Sequence, residues 1–430
     1  MKYQKVIELP IENKELNKKG FIITSNHVNE STHIFHKYPA KFIPHIPRWG
    51  IKYLKENPIL IIDPFCGSGT TNLEAYRLGN YSIGFDIDPL AILISKVKTN
   101  LISHNDLEKA KILFNKQIKK YNHKKKYSAP AIENLNHWFT DDAINKLAYI
   151  NEIISKYFNG DIKNFLLITY SSIIREVSNA DNQTQKTYVS HTLKKSPPEV
   201  FDTFNKKLYI YSECLTNLQK EVNNSKKFKP FYVKADSRKD LSLYLKKYEK
   251  KITRVIITSP PYGKAIDYIY NQMLEYFWLG DVLGPQGKKQ LNEYKRNYIG
   301  TKQIYSNEYN NFAYKSFQVP KLDKLIKLIL KKDKKHAYIT YQYFYSMKEN
   351  LINSLKLLRK GEHYIMVVGI TNVSGHKVDT RELLSQLAKK VGYEIETSFF
   401  YKIRNRYMRF NRNGKGGLIE DDHVVIFTRM

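Results

Sequence analysis

A serine, two prolines and a tyrosine follow an apolar run in the second half of the chain. Ser259, Pro260, Pro261 and Tyr262 come directly after Val255–Thr258. Because proline fixes φ and lacks an N–H, the prolines hold an extended backbone whose carbonyl groups point outward. The Ser259 hydroxyl and the Pro260 carbonyl can each accept an N–H of an exocyclic amine, while Tyr262 stacks on the flat base that carries it. Holding both hydrogens localises the nitrogen lone pair, which suits attack on an electrophilic methyl group without a strong general base.

The chain contains a second Ser-Pro-Pro, and its surroundings differ. Ser196, Pro197 and Pro198 have no apolar strand before them and no aromatic residue after them. A ligand site of this kind needs the end of a strand and a ring that stacks on the base. We therefore interpret the second copy as the start of a helix.

A glycine-rich turn lies between a predicted strand, residues 59–62, and a predicted helix that begins at Asn72. Gly67 and Gly69 allow the backbone of this turn to approach a ligand closely. Asn72 stands where a dinucleotide fingerprint has Gly or Ala, and the P-loop lysine is absent. A pyrophosphate ligand is therefore disfavoured and a nucleoside-type ligand remains open. The turn reads Asp63, Pro64, Phe65, Cys66, Gly67, Ser68, Gly69, Thr70 and Thr71.

Three successive predicted strands have an aspartate within two residues of their carboxyl ends, namely Asp63, Asp86 and Asp236. A carboxylate at the second tip can accept both hydroxyl groups of a ribose, and one at the third can accept a purine amine. Asp88 competes with Asp86, although Pro89 favours Asp88 as a helix N-cap. An N-cap is also the alternative for Asp236. Because ligands of doubly wound sheets bind at the carboxyl ends of the strands, three acidic tips together favour a binding site.

Seven apolar runs rich in Ile, Val, Phe and Tyr predict strands that are covered on both faces. Most alternate with helical stretches, so we expect an α/β fold with a doubly wound, mostly parallel, seven-stranded sheet. A Gly-rich connection too short for a helix joins the last two strands, which predicts a terminal antiparallel hairpin. The predicted strands are Ile59–Phe65, Tyr81–Ile87, Pro230–Ala235, Arg254–Thr258, Tyr364–Ile370, Glu394–Ile403 and His423–Thr428.

The spacing of these strands divides the chain into three parts. Residues 1–100 form a cofactor-binding half of the catalytic domain, and residues 229–430 form a catalytic half. Between them, residues 101–228 are too long for one crossover helix and predict a largely helical insertion. A basic insertion at about 284–320 lies inside the catalytic half. Both insertions are candidates for target recognition.

The charge of the chain points to a polyanion as partner. The sequence has 71 Lys and Arg against 41 Asp and Glu, which gives a net charge of +30. Much of this lysine can be solvated surface, so the scarcer arginine is the more informative residue. A cluster of four arginines lies near the C-terminus and is a candidate DNA contact, with a solvated hairpin as the alternative. It comprises Arg404, Arg406, Arg409 and Arg412.

Several classes of protein are disfavoured by composition. No apolar run is long enough to span a membrane, and no apolar signal core follows the N-terminus, so we expect a cytoplasmic protein. Two cysteines, Cys66 and Cys214, cannot form a disulfide framework. His33 and His36 lack Cys or acidic partners at metal-ligand spacing, and we expect no metal site.

These motifs together resemble amino-methylating DNA methyltransferases of restriction–modification type. Asp63–Thr71 looks like the cofactor motif of that family, Thr258–Tyr262 like its catalytic motif, and Thr32–Pro44 like the segment before the cofactor motif in one branch. The resemblance implies S-adenosylmethionine as cofactor, with Asp63 and Gly67 at its methionine end, Asp86 at the ribose and Asp236 at the adenine. It also assigns to the cofactor pocket Lys41, Phe42, Pro44, Phe65, Gly69 and Thr70.

The resemblance implies duplex DNA as substrate and a cognate restriction endonuclease encoded nearby. The form Ser-Pro-Pro-Tyr is associated mainly with cytosine-N4 enzymes, so methylation of a flipped cytosine at N4 is the first hypothesis. The cofactor motif precedes the catalytic motif here, which is the less common order among those enzymes. Adenine N6 is therefore the alternative. An RNA base methyltransferase and a non-catalytic nucleic-acid-binding protein are the remaining hypotheses.

Overall fold

A computed structural model describes most of the chain. It covers residues 3–25, 27–56, 58–182, 186–190, 192, 195–249, 251–263, 267–284, 287–403 and 420–430. The strands are β1 (Gln4–Val6), β2 (Gly20–Ile23), β3 (Leu60–Asp63), β4 (Tyr81–Asp86), β5 (Phe231–Lys234), β6 (Arg254–Thr258), β7 (His363–Gly369), β8 (Thr371–Val373), β9 (His376–Val378), β10 (Tyr393–Lys402) and β11 (Asp421–Arg429).

The helices alternate with the strands in the core and follow one another in the insertion. They are α1 (Asn13–Leu16), α2 (His45–Tyr53), α3 (Thr70–Arg77), α4 (Pro89–Thr99), α5 (His104–Ile118), α6 (Leu135–Trp138), α7 (Asp141–Tyr157), α8 (Gly160–Ile174), α9 (Val200–Glu221), α10 (Tyr268–Asn271), α11 (Met273–Trp278), α12 (Gly280–Leu283), α13 (Gly287–Lys295), α14 (Ser306–Asn310), α15 (Pro320–Lys332), α16 (Lys334–Leu355) and α17 (Thr380–Val391). Short 3₁₀ helices span His27–Asn29, Ser31–Ile34, Asn223–Phe228 and Ser242–Leu245.

The main sheet has nine strands in the order β1-β2-β10-β11-β7-β6-β3-β4-β5. β11 runs antiparallel to both of its neighbours, β10 and β7, and the other pairs are parallel. All seven predicted strands are present, which confirms the mostly parallel α/β sheet with an antiparallel C-terminal pair. The prediction of seven strands omitted β1 and β2, which extend the edge beside β10. The chain reverses its winding direction between β3 and β6, where the carboxyl ends of doubly wound sheets bind ligands.

Apolar side chains cover the sheet on both faces. One face packs against α15, α16 and α17, with Phe344, Met347 and Leu351 of α16 in its core. The other face packs against α2, from which Ile46 and Trp49 are buried. The sheet is therefore a rigid platform that fixes where each strand ends.

Residues 101–228 carry α5 to α9, which confirms the largely helical insertion. The apolar core of these helices is continuous with α4 and α11 of the catalytic part. The segment before the cofactor motif lies between them. The Phe35 ring stacks on the Tyr211 ring of α9 with centroids 4.2 Å apart, and His36 Nε2 lies 2.9 Å from Ser171 Oγ of α8. The insertion is thus attached through residues 35–36 to the cofactor-binding half.

Candidate active site

The carboxyl ends of β3, β4, β5 and β6 open onto one cleft, which encloses about 800 Å³ up to its mouth. Ten residues singled out in the sequence line this cleft, and they come from five separate stretches of the chain. They are Lys41, Phe42, Asp63, Phe65, Gly67, Thr70, Asp86, Asp236, Ser259 and Pro261. The fold therefore brings the glycine-rich turn and the Ser-Pro-Pro-Tyr loop to the same cleft.

Four other residues singled out in the sequence are not among the lining residues. Pro44 is the N-cap of α2, and Gly69 is the N-cap of α3. Pro260 is buried, and the Tyr262 hydroxyl group donates to Asp422 of β11. The cluster Arg404, Arg406, Arg409 and Arg412 lies outside the described residues.

Asp63 links the glycine-rich turn to residues Ser259–Tyr262, the predicted catalytic loop. The Thr258 hydroxyl donates to Asp63 Oδ1 over 2.6 Å, and the Phe65 N–H donates to the same oxygen over 3.1 Å. Burial raises the pKa of Asp63 to about 6, against the effect of these donors. Since Thr258 immediately precedes Ser259, this carboxylate fixes the distance between the two motifs.

The glycine-rich turn is held by polar contacts from α4. Ser95 Oγ donates to the Gly67 carbonyl and the buried Lys98 ammonium donates to the Ser68 carbonyl, each over 2.8 Å. Gly69 begins α3 in the left-handed region, with φ of +74°, and a Cβ there would lie 2.7 Å from Ser95 Oγ. Glycine at position 69 is therefore required both by the backbone angle and by space.

Asp86 faces the cleft, whereas Asp88 is the N-cap of α4. Asp86 accepts the N–H groups of Gly67 and Asp88 over 2.8 and 2.9 Å. Burial, followed by the charge of Asp88, raises the pKa of Asp86 to about 7. Asp88 caps α4 by accepting the N–H groups of Leu90 and Ala91, which confirms the N-cap interpretation. Asp86 thus remains the carboxylate available to a ligand.

Asp236 is paired with Arg238, a contact that no motif in the sequence marks. Its carboxylate accepts the backbone N–H, the Nε–H and the Nη2–H of Arg238 over 2.8 to 3.0 Å. A carboxylate has about four acceptor sites, so about one remains for another donor. Hydrogen bonds with Arg238 and its charge lower the pKa of Asp236 despite partial burial. Arg238 Nη2 also donates to the Asn297 carbonyl over 2.9 Å.

The basic insertion forms one lip of the cleft. Asn297, Tyr298 and Ile299 line the cleft together with Tyr38 and Tyr268. The rings of Tyr38 and Tyr268 lie 6.1 Å apart in a tilted pair. Tyr38 lies in the segment Thr32–Pro44 and Tyr268 begins α10, but no motif marks Asn297, Tyr298 and Ile299, which lie in the basic insertion.

Lys41 and Phe42 line the cleft on the side of the N-terminal segment. The Lys41 ammonium donates to the His33 carbonyl, and burial lowers its pKa to about 8. A lysine with this pKa is largely protonated at neutral pH, so it contributes a positive charge to a cleft whose strand tips are acidic.

The catalytic loop is anchored at both ends. Ser259 Oγ lies 3.4 Å from the Val367 carbonyl of β7, and Tyr262 donates its hydroxyl proton to Asp422 Oδ1 over 2.7 Å. The second oxygen of Asp422 accepts the hydroxyl group of Tyr401 over 3.1 Å. Burial raises the pKa of Asp422, which the two tyrosine donors oppose. The loop therefore has a fixed position before any substrate binds.

The two histidines of the N-terminal segment are structural. His33 Nε2 lies 2.8 Å from Glu74 Oε1, and His36 Nε2 bonds Ser171. Burial lowers the pKa of each histidine to about 3.

Within the described ranges, no group of three or more His, Cys, Asp or Glu side chains could hold a metal ion. In the same part of the chain, no helix has both the length and the apolar character needed to cross a membrane.

Comparison with known proteins gives a consistent result. A family described as DNA methylase, of the N6/N4 type, matches residues 3–97. The chain is 26% identical over 404 residues to type II methyltransferase M.MvaI of Kocuria varians, which covers 90% of this chain and 87% of the relative. It is 24% identical to M.MjaII of Methanocaldococcus jannaschii, covering 90% and 79%. It is 25% identical to M.BsoBI of Geobacillus stearothermophilus, covering 64% and 58%. M.MjaII and M.BsoBI, like M.MvaI, are type II methyltransferases by name.

Proposed function

We propose that this chain methylates an exocyclic amine of a base in duplex DNA with S-adenosylmethionine as cofactor, which its similarity to the N6/N4 DNA methylase family over residues 3–97 and to type II methyltransferases supports. The observation that carries this proposal is the 2.6 Å hydrogen bond between Thr258 and Asp63. It joins the loop suited to an amine with the turn suited to a nucleoside. The methyl donor and the base amine can therefore meet across one cleft.

The residues of the cleft fit this cofactor. S-adenosylmethionine supplies an electrophilic methyl group on a sulfonium ion. Asp86 has a raised pKa, and two ribose hydroxyl groups would provide donors that stabilise its ionised form. Asp236 keeps about one acceptor site for the adenine amine, while Asp63 and Gly67 face the methionine end. Lys41, Phe42 and Pro44 would close the N-terminal side.

The catalytic loop would orient the base. We propose that the Ser259 hydroxyl and the Pro260 carbonyl accept the two amine hydrogens, which turns the nitrogen lone pair toward the methyl group. Tyr262 would stack on the flipped base, with its ring held by Asp422. The extra proton leaves after transfer, so the loop has no need of a strong base.

Substitutions in the catalytic loop test this proposal directly. Ser259→Ala and Tyr262→Ala are expected to abolish methylation of duplex DNA while retaining S-adenosylmethionine binding in calorimetry. Full activity of both variants would contradict the proposed mechanism. Wild-type protein that fails to bind the cofactor would favour a non-catalytic nucleic-acid-binding protein.

We propose cytosine N4 as the target, because the loop begins with serine, and adenine N6 as the alternative. The measurement is mass spectrometry of nucleosides from duplex DNA methylated with labelled cofactor. N4-methylcytosine would support the first target. N6-methyladenine would support the alternative and keep the mechanism. Label in tRNA and none in DNA would point to an RNA base methyltransferase.

We also propose that methylation protects DNA from a cognate restriction endonuclease encoded nearby, as the names of the relatives suggest for those proteins. Residues 101–228, the insertion at 284–320 and the cluster Arg404 to Arg412 are the proposed elements of target recognition. Plasmid DNA from cells that express the chain should resist that endonuclease. Complete digestion of methylated plasmid would contradict this role.

A further inference from the structure

Five exposed lysines lie together at the junction of α15, α16 and the β8–β9 hairpin. Lys332 Nζ lies 3.4 Å from the position that a Cβ on Gly375 would take, and His336 Nδ1 lies 3.2 Å from Ser374 Oγ. These contacts hold the helix junction against the hairpin. We call the group the lysine cluster, and it comprises Lys331, Lys332, Lys334, Lys335 and Lys377.

The lysine cluster lies beyond the catalytic edge of the sheet. Asn350 of α16 accepts the Tyr364 hydroxyl proton near the start of β7. Further toward the N-terminus of α16, Tyr343 packs on Gly263 of the catalytic loop, where an added Cβ would lie 2.7 Å from its ring. Lys334 is nine residues further along the helix, which at 1.5 Å per residue is about 14 Å past the loop. The helix therefore projects from the catalytic loop toward the solvent that a DNA substrate would occupy.

The charge of this cluster is not neutralised by the rest of the described chain. No ion pair with a described residue involves any of its five lysines, whereas Lys356, at the opposite end of α16, pairs with Asp240 over 3.0 Å. The nearby Asp333 carboxylate binds His336 Nδ1 over 2.5 Å. Lys334 and Lys335 also lie at the N-terminus of α16, where the helix dipole disfavours positive charge. The arrangement costs stability in the free protein, and a bound polyanion would remove that cost.

We propose that the lysine cluster binds the phosphate backbone of the DNA substrate on one side of the target base. This inference rests on the proposed function. A distance of about 14 Å corresponds to about four base pairs along a duplex, at 3.4 Å for each pair. The cluster would thus contact phosphates that flank the base held by Ser259 and Tyr262. Phosphate contacts position a duplex without reading its sequence.

The test compares two triple variants of the full chain. Lys332→Ala, Lys335→Ala and Lys377→Ala remove charge from the lysine cluster. The matched control removes three exposed lysines near the amino ends of β6, β7 and β10, at the opposite edge of the sheet, through Lys251→Ala, Lys360→Ala and Lys389→Ala. The probe is a fluorescent duplex of random sequence, whose binding is followed by anisotropy over a range of salt concentrations.

The logarithm of the affinity falls with the logarithm of the salt concentration, with a slope of about −0.9 for each phosphate neutralised. The cluster variant is expected to have a slope shallower by about 2.7, if each lysine contacts one phosphate. The control should keep the wild-type slope. Both variants should bind S-adenosylmethionine as the wild type does, which shows that they are folded.

Three results would overturn the inference, and they are distinguishable. An unchanged slope in the cluster variant, with a wild-type protein that binds and methylates DNA, would overturn the inference alone. A wild-type protein that binds no DNA at any salt concentration would overturn the proposed function and the inference with it. An equal loss of slope in the control variant would show general attraction by net charge and would also contradict the inference.

Discussion

The Tyr262 hydroxyl group donates to the Asp422 carboxylate over 2.7 Å, which connects the catalytic loop to the antiparallel end of the sheet. Asp422 lies at the start of β11, and Tyr401 of β10 donates to its other oxygen. The ring expected to stack on the target base is thus fixed through its hydroxyl group. We regard Asp422 as a positioning residue, because it acts through Tyr262.

Replacement of Asp422 by alanine should slow methylation without weakening cofactor binding. Asp422→Ala leaves two tyrosine hydroxyl groups without an acceptor, which costs about 1–3 kcal/mol of unfolding free energy for each that stays buried. A ring displaced by about 1 Å can reduce the rate about 100-fold. Single-turnover methylation and calorimetry would measure the two effects. Tyr401→Phe is the control, since it keeps the Tyr262–Asp422 bond and should keep the rate. A wild-type rate in Asp422→Ala would show that the bond does not position the ring.

S-adenosylmethionine should bind more tightly as the pH rises through the pKa of Asp86. That pKa is about 7 in the free protein because of burial and the charge of Asp88. Ribose hydroxyl groups donate best to the ionised carboxylate, so binding should release a proton below about pH 7. Calorimetry in buffers of different ionisation enthalpy would measure this release, and Asp86→Asn should abolish it. Affinity that is independent of pH between about 6 and 8 would argue against the ribose role.

The raised pKa of Asp86 also affects the free energy of unfolding. An ion-paired aspartate increases the stability of a protein as the pH rises, whereas Asp86 decreases it. The pKa of Asp86 lies above its model-peptide value of 3.8, so the folded protein holds more protons than the unfolded chain between these values. Asp86 therefore reduces the stability of the cofactor-free protein as the pH rises toward about 7. Bound cofactor should reverse this trend in thermal unfolding.

Gly69→Ala should disrupt the glycine-rich turn through two separate effects. The left-handed φ of +74° is unfavourable for alanine by about 1–2 kcal/mol, and the new Cβ would lie 2.7 Å from Ser95 Oγ. Gly160→Ala is the matched control, because Gly160 has φ of +54° with open space around its Cβ position. Thermal unfolding should show a larger loss in Gly69→Ala, and calorimetry should show weaker cofactor binding in that variant alone. Equal losses in both variants would mean that crowding against Ser95 has no effect.

Two buried histidines should make the protein sensitive to acid. The pKa values of His33 and His36 are about 3 in the folded state because of burial. The unfolded chain takes up protons at its histidines below pH 6.5, so stability should fall with the pH by about 1.4 kcal/mol per unit for each histidine. His36→Asn should remove about half of this dependence in urea unfolding. The exposed His104→Asn serves as control and should leave the dependence unchanged. A wild-type slope in His36→Asn would exclude His36 as a source of acid sensitivity.

The sheet could be predicted from the sequence because its strands are continuous apolar runs. The predicted strand Arg254–Thr258 coincides with β6, and the other six differ from the structure by one or two residues at an end. The order of the motifs along the chain then indicated which strand ends lie at the same edge of the sheet. β1 and β2 were not predicted, because they are short and pair with the distant β10, so no local pattern marks them.

The residues of the cleft were predictable where they lie on strand tips or in a recognised motif, and not where they lie in the basic insertion. Asp63, Asp86 and Ser259 follow apolar strands, and the fold brings them together. The position of Tyr298 and the bond from Arg238 to the Asn297 carbonyl depend on the path of the basic insertion, which no periodicity in the sequence describes. The roles of all these residues stay predictions until the variants above are measured.

The stacking of Phe35 on Tyr211 and the bond of His36 to Ser171 limit how this enzyme could be re-engineered. A chimera that exchanged residues 101–228 for the equivalent part of another methylase would remove the partners of both side chains. The segment Thr32–Pro44 would then lose this support, and on the proposed function cofactor binding would weaken together with target recognition. A chimera designed to change the target sequence should therefore transfer residues 32–38 together with the helices of the insertion.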